Sequence, residues 1–215
     1  PTIGCALHLA GGGDGHVVLE EEAGIVPVAI ADGLAELVAP KLPVAHPGTA
    51  DPALLASALD LPDDSIGFDA HRPGIWQGGP AFLFVPVADL QALAAARPAE
   101  PFWSQAMQAA NVDAAYLYTP EGAGYRARLF SPTAGIPEDP ATGSASALLA
   151  AQLQASGALS GAETRIALRQ GIEMGRPSKI TLTIRRAGND ITEIRVAGRA
   201  APVAEGRIRI PPAGG

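Results

Sequence analysis

Three features of the sequence predict an α+β fold. Strands rich in β-branched residues precede single apolar helices and then more strands, without the regular alternation of a doubly wound parallel sheet. No glycine fingerprint for a dinucleotide follows a strand: AGGGDG, residues 10–15, comes after a helix and reads as a turn. A short segment also recurs. PTIGCALHLA from Pro1 and PATGSASALLA from Pro140 both read proline, two residues, glycine, a small Cys or Ser, then alanine, with Leu9 level with Leu148. The repeat predicts two related lobes, each with a helix buried among strands and each presenting that helix's N-terminus.

The elements follow in order. IGCALHLA is the first helix, and HVVLEEEAGIVPVAI reads as two extended segments joined near Gly24. ELVAPKLPVAHPGTADP carries Pro40, Pro43, Pro47 and Pro52, each lacking a backbone donor, so it is expected as edge strand or loop. DPALLASALD is a short helix with Asp51 as N-cap and Pro52 in its first turn. PAFLFVPV is a buried strand, ADLQALAAARP and FWSQAMQAAN have helical spacing of apolar residues, and AAYLYT and YRARLF are strands. EDPATGSASALLAAQLQASG, residues 138–157, is a helix of about four turns closed by Gly157. TRIALRQG, SKITLTIRR, DITEIRVAG and RIRIP are strands, with AGND turning one hairpin. The expected lobes are 1–58, which a C-terminal strand from 200–215 can join, and 59–199, which carries the long helix.

Composition narrows the function classes. With 215 residues, 47% of them hydrophobic, the chain can bury a real core. Acidic residues outnumber basic ones 22 to 15 and no basic run occurs, so nothing offers a nucleic acid the cationic stripe it needs. The single cysteine, Cys5, excludes an internal disulfide framework and suits a reducing compartment. No apolar run approaches the roughly 20 residues that cross a bilayer, and no charged leader opens the chain, so the expected location is the cytoplasm, without a membrane partner. The start on Pro1 and Thr2, with no initiator methionine, gives the expectation of a piece cut from something longer.

The start of the long helix is the candidate site. Asp139 is expected as its N-cap and Pro140 in its first turn, with free amides near Thr142, Gly143 and Ser144. Together with the helix dipole, such amides form an anion site, where a substrate carboxylate could lie with Asp139 beside the carbon it activates. Ordinary capping by Asp-Pro would also explain the segment without chemistry, and Glu138 reads as a solvated neighbour. Cys5 reads as packing. His8, His16, His46 and His71 show no ligand spacing and read as surface or loop residues, so no metal site is expected. Arg126 and Arg128 alternate with apolar residues and read as a solvated strand face, Arg176 stands between that and anion binding, and Trp76, Trp103 and Tyr116 read as core or lobe interface.

FSPTAGIPEDPATGSASALLA and RQGIEMGRPSKI resemble the two signature stretches of the phenazine-biosynthesis PhzF-like isomerase family. PTIGCALHLA resembles that family's earlier segment, in which Gly-His-Pro or Gly-Asn-Pro opens a helix. The resemblance covers essentially the whole chain. It implies the diaminopimelate-epimerase-like fold, two pseudo-symmetric lobes each with a mixed sheet or barrel around a central helix, the first lobe here incomplete and the active site in the cleft between. It implies an isomerase of small-metabolite biosynthesis that moves a proton within a small carboxylic acid, with no cofactor and with a glutamate of the N-terminal lobe as acid/base. Carried over by position, Asp139 is the active-site aspartate and Gly143 and Ser144 the substrate-contacting helix start. Gln170 and Gly171, with Met174, Gly175 and Arg176, line or brace the cleft. The glutamate, and the histidine before the family's proline, are expected upstream of Pro1, which leaves open whether this chain turns over alone. Two alternatives stand beside this one. The chain is a non-catalytic small-anion binding module, or it is an amino-acid racemase of the same fold, which would use one cysteine per lobe where this repeat sets Ser144 against Cys5. Exposed sheet edges in folds of this kind predict a homodimer.

Overall fold

The computed structural model describes residues 1–206. The expected RIRIP strand, and with it most of the 200–215 segment, lies outside the described residues. In chain order the elements are α1 (Thr2–Leu9), β1 (Gly15–Glu21), β2 (Gly24–Ala31), β3 (Leu34–Val38), β4 (Val44–Ala45), α2 (Pro52–Ala58), β5 (Gly74–Gln77) and β6 (Ala81–Pro86). They continue with α3 (Leu90–Ala95), α4 (Phe102–Ala110), β7 (Ala115–Glu121), β8 (Gly124–Ser131), β9 (Ile136–Asp139), α5 (Gly143–Ala155), β10 (Glu163–Gln170), β11 (Ser178–Ala187) and β12 (Asp190–Gly198). No described helix is long and apolar enough to cross a membrane.

Alternation sets the first hairpin. Val26, Val28 and Ile30 of β2 point to one face and bury against Ala6 of α1 and Ala35 of β3. β3 corrects the edge-or-loop expectation at its first residues, because it is an interior strand paired with β2 on one side and β12 on the other. The prolines begin only after it ends. Beyond them the expectation is met by β4, the last strand of the sheet.

Among the described residues all the strands join one mixed sheet of 12, in the order β1-β2-β3-β12-β11-β10-β8-β7-β6-β5-β4, with β9 beside β8. Its parallel pairs are β8 with β10 and β6 with β7. α5 touches β11 and β12 on one side and β5 and β6 on the other. Strands so far apart in sheet order can meet one helix only if the sheet curls around it. The sequence of α5 permits this: every residue from Ala145 to Leu153 is buried, most are alanine or leucine, and the two polar ones, Ser146 and Gln152, are hydrogen-bonded. Its alanines let strands approach closely, while Leu149 and Leu153 fill the space between.

The outer face of β6 and β7 carries a second cluster from α2, α3 and α4, including Leu55, Leu83, Val85, Leu93, Trp103 and Leu117. Asp51 caps α2 as expected, its Oδ1 accepting from the Ala53 amide at 3.1 Å. α2 itself, expected in the first lobe, packs on α4 in this second cluster.

His71 corrects the surface-histidine expectation. It is buried, stacked on Phe68 with ring centroids 4.2 Å apart, and its Nδ1 lies 2.9 Å from the Tyr118 hydroxyl. Gln152 of α5 extends the network, its Nε2 donating to Tyr118 Oη (3.1 Å) and Arg72 O (2.7 Å), and its Oε1 accepting from Trp76 Nε1 (2.8 Å). Burial pushes the His71 imidazole below its ordinary value. Asp69 opposes that shift, Arg72 adds to it, and Tyr118 and Tyr125 face the ring as neutral phenols. Below the ordinary value of about 6.5 the unfolded chain takes up a proton that the folded chain resists, so stability rises with pH through that window. Acidification from about pH 7.5 to about pH 5 is therefore expected to lower Tm, and His71→Gln to flatten the decline. Equal slopes for the two proteins in calorimetry would contradict this account of the shift.

Candidate active site in the cleft between two helix starts

The expected capping arrangement is corrected first. Asp139 ends β9, opposite Leu129 of β8, and the helix begins only at Gly143 with Thr142 in the N-cap position. The Asp139 carboxylate therefore accepts no helix amide. It accepts instead from Thr142 Oγ1 at 2.6 Å, which fixes its direction.

The Thr142 amide is also not free, because it donates to Gln170 Oε1 at 3.1 Å. Gln170 Nε2 donates in turn to Asp139 O (2.7 Å) and Thr142 Oγ1 (3.0 Å). This fully buried side chain at the end of β10 thus holds the whole turn from Asp139 to Thr142. The first bond of α5 runs from Ser146 N to Thr142 O, which leaves the amides of Gly143 and Ser144 ahead of it as donors.

Of the two roles expected for Gln170 and Gly171, lining or bracing the cleft, the geometry gives the second: neither is in the lining, and Gln170 holds the turn. Gly171 adopts φ +75°, and a Cβ there would lie 2.9 Å from Pro140 O and 3.0 Å from Pro140 Cα. Only the absent side chain lets Pro140 pass.

The cleft has a volume of about 940 Å³. Both helix starts open into it: Pro1 to Gly4 of the first and Thr142 to Ser144 of the second, with Asp139 between strand and helix. In α1 the first bond runs from Cys5 N to Pro1 O, so the amides ahead of it are donors as well. The two glycines that the repeat sets level, Gly4 and Gly143, thus line one cavity. Glu21, Lys41, Lys179 and Arg199 supply its other charged groups. A smaller cavity of about 380 Å³ at the end of α4, lined by residues such as Met107, Asn111 and Thr133, contains neither helix start.

Other candidates fall outside the cleft. Cys5 is exposed rather than packed and is not in the lining. Arg128 and Glu138 are not solvated. They form a two-point ion pair with both contacts at 2.9 Å, and Arg128 also donates to the carbonyls of Leu93, Ala94 and Ala96 at the end of α3. Arg126 pairs with Glu121 and Glu173, while Arg176 is exposed and outside the lining. Trp103 and Tyr116 are core, as expected, and Trp76 packs against the core beside α5. Lys41 and Lys179 line the cleft but were not singled out from the sequence, and Thr142 was named there for its amide and not for the hydroxyl that orients Asp139. For Thr142 the signal was present in the three-residue spacing to Asp139; for the lysines it was their scarcity.

The family model described as phenazine biosynthesis-like protein, PhzC-PhzF, matches residues 1–206. The chain belongs to this family. The PhzF-type chain is 35% identical to an uncharacterised isomerase of Mesorhizobium japonicum, over 98% of its own length and 74% of the relative's. It is 31% identical to the trans-2,3-dihydro-3-hydroxyanthranilate isomerase of Pseudomonas aeruginosa, over 96% of its length and 72% of the relative's. A solved phenazine biosynthesis protein of the PhzF family from Bacillus anthracis superimposes with a TM-score of 0.79 at 20% identity, covering 95% of this chain and 73% of that one, and shows the shared fold. The protein is an isomerase of the PhzF type.

Proposed function

We propose that the protein shifts a proton within a small carboxylic acid by acid/base catalysis without a cofactor, as a step in the biosynthesis of a small metabolite. The observation that carries this reading is the meeting of two helix N-termini and Asp139 in one cleft. The substrate carboxylate lies against the amides of Gly143 and Ser144, where the helix dipole favours negative charge. The carbon next to it then faces Asp139, whose carboxylate the Thr142 hydroxyl holds in one orientation. Asp139 orients the substrate and assists proton delivery, and the amides of α1 are placed to stabilise charge that develops during transfer. The partner acid/base is the glutamate that the resemblance implies, expected upstream of Pro1. Gly171 and Gln170 serve by fixing the turn that carries Asp139.

Ser144 at the place level with Cys5, and the exposure of Cys5 outside the cleft, weigh against a two-cysteine racemase. The same reading includes a cytoplasmic homodimer. Exposed Val18 on edge strand β1 and Val44 on edge strand β4 support the pairing.

The test is incubation of the protein carrying the segment upstream of Pro1 in deuterium oxide with trans-2,3-dihydro-3-hydroxyanthranilate, the compound named for the Pseudomonas aeruginosa relative, and with other small unsaturated or hydroxylated carboxylic acids. One solvent deuteron per product molecule is expected by mass spectrometry for the true substrate. Carboxylates that bind at the helix start but never exchange would instead mark a binding module.

A further inference from the structure

The sequence contains just two lysines, Lys41 and Lys179, among its 15 basic residues, and both line the cleft. Lys41 comes from the proline-rich stretch after β3 and Lys179 from the start of β11, so the coincidence is made by folding and not by proximity in sequence. Among the described residues every ion pair is made by arginine, and neither lysine has an acidic partner. The cleft's other charged groups each hydrogen-bond to a neutral neighbour. Glu21 accepts from Thr2 Oγ1 at 2.6 Å, Asp139 accepts from Thr142 Oγ1, and Arg199 donates to Asp32 O at 2.7 Å. A chain of net charge −7 thus places two solvent-exposed lysines, among the described residues neither paired with a carboxylate nor hydrogen-bonded as Arg199 is, at the lining of its concavity.

A monocarboxylate seated at the helix start adds no ion-pair contact for either lysine, and none is made to Glu21 or Asp139. We propose that the substrate carries a second anionic group, a carboxylate or phosphate, which Lys41 and Lys179 hold. This rests on the helix start at Gly143 and Ser144 being the carboxylate site. Lysine suits the task, since its compact charge on a flexible stem follows an anion without demanding the two-point geometry that arginine imposes.

Having only two lysines makes the test direct. Reductive methylation with ¹³C-formaldehyde keeps their charge and gives two lysine signals to follow by NMR, beside that of Pro1. Succinate, glutarate, adipate and 3-phosphonopropionate are titrated against butyrate, with the backbone amides of Gly143 and Ser144 observed in ¹⁵N-labelled protein. At least one dianion is expected to bind roughly fivefold more tightly than butyrate, the scale of a solvent-accessible ion pair, and to shift both lysine signals. The phosphonate arm tells a phosphate-type second group from a carboxylate. The preference is expected to vanish in Lys41→Gln/Lys179→Gln and to shrink at about 1 M salt, where screening is strong. Dianions that bind no more tightly than butyrate, or a preference that survives in the double variant, would overturn the proposal. A butyrate titration that leaves the Gly143 and Ser144 amides unmoved would instead overturn the helix-start reading, since those amides report on that site alone.

Discussion

In the full-length protein, with the segment upstream of Pro1, Asp139→Asn is expected to lower kcat by roughly 10²- to 10⁴-fold, the usual contribution of a positioned acid/base group, while KM changes little. The split follows from the geometry. The substrate's carboxylate is held by the amides of Gly143 and Ser144, which the substitution does not touch, so ground-state binding persists. Asparagine has nearly the same shape as aspartate, and its side-chain carbonyl can still accept from Thr142 Oγ1. The bond from Gln170 Nε2 to the backbone carbonyl of residue 139 is indifferent to the side chain. What disappears is the charge and the capacity to take and return a proton. Solvent-deuterium incorporation measured beside Tm separates the effect from misfolding, since the variant's Tm should stay close to the parent's. An Asp139→Asn enzyme with parental kcat would remove Asp139 from the mechanism and leave only an anion-binding turn.

The parts of this molecule that were legible in the sequence are those decided by local periodicity. α5 announces its burial by its alanine- and leucine-rich stretch ALLAAQL, the β11–β12 hairpin announces its turn through AGND, and Asp51 announces a cap that the structure contains. β5 and β9 were not legible. GIWQ and IPED are too short to show alternation, and glycine or proline adjoins each. The six-residue repeat was visible, but that both copies open into one cleft depends on the pairing of β3 with β12, which joins strands far apart in sequence. Asp139 shows the same division. Its residue type and neighbours marked the site, yet its role was misread as capping, because Gln170, 28 residues beyond Thr142, takes the amide that Asp139 would otherwise have bound. Arg128 failed in a comparable way: alternation along β8 placed it on a solvent face, and α3 then covered that face with three carbonyls. Long-range closure, which no local pattern encodes, accounts for each of these misses.

Gly171→Ala is expected to destabilise the protein by roughly 2–4 kcal/mol, about 1 from forcing alanine into the left-handed region and the remainder from overpacking. The position has φ +75°, and the new methyl would press on Pro140 O and Pro140 Cα, and more closely still on Arg176 O. All three are backbone atoms, so no rotamer change relieves the contact. Gly175→Ala is the matched control. Its φ of +70° imposes a similar conformational strain, but nothing lies within 4 Å of the added carbon, so only the first contribution remains. For a chain of this length a Tm drop of roughly 4–16 °C is expected for Gly171→Ala, and roughly 2–4 °C for Gly175→Ala. The larger effect should also reach the chemistry. Relief of the clash moves Pro140, and Pro140 joins Asp139 to the turn that Gln170 holds, so the surviving folded fraction should lose kcat although residue 171 does not line the cleft. If the two glycine variants melted together, the close approach of Pro140 would not be what fixes this turn, and the placement of Asp139 would need another cause.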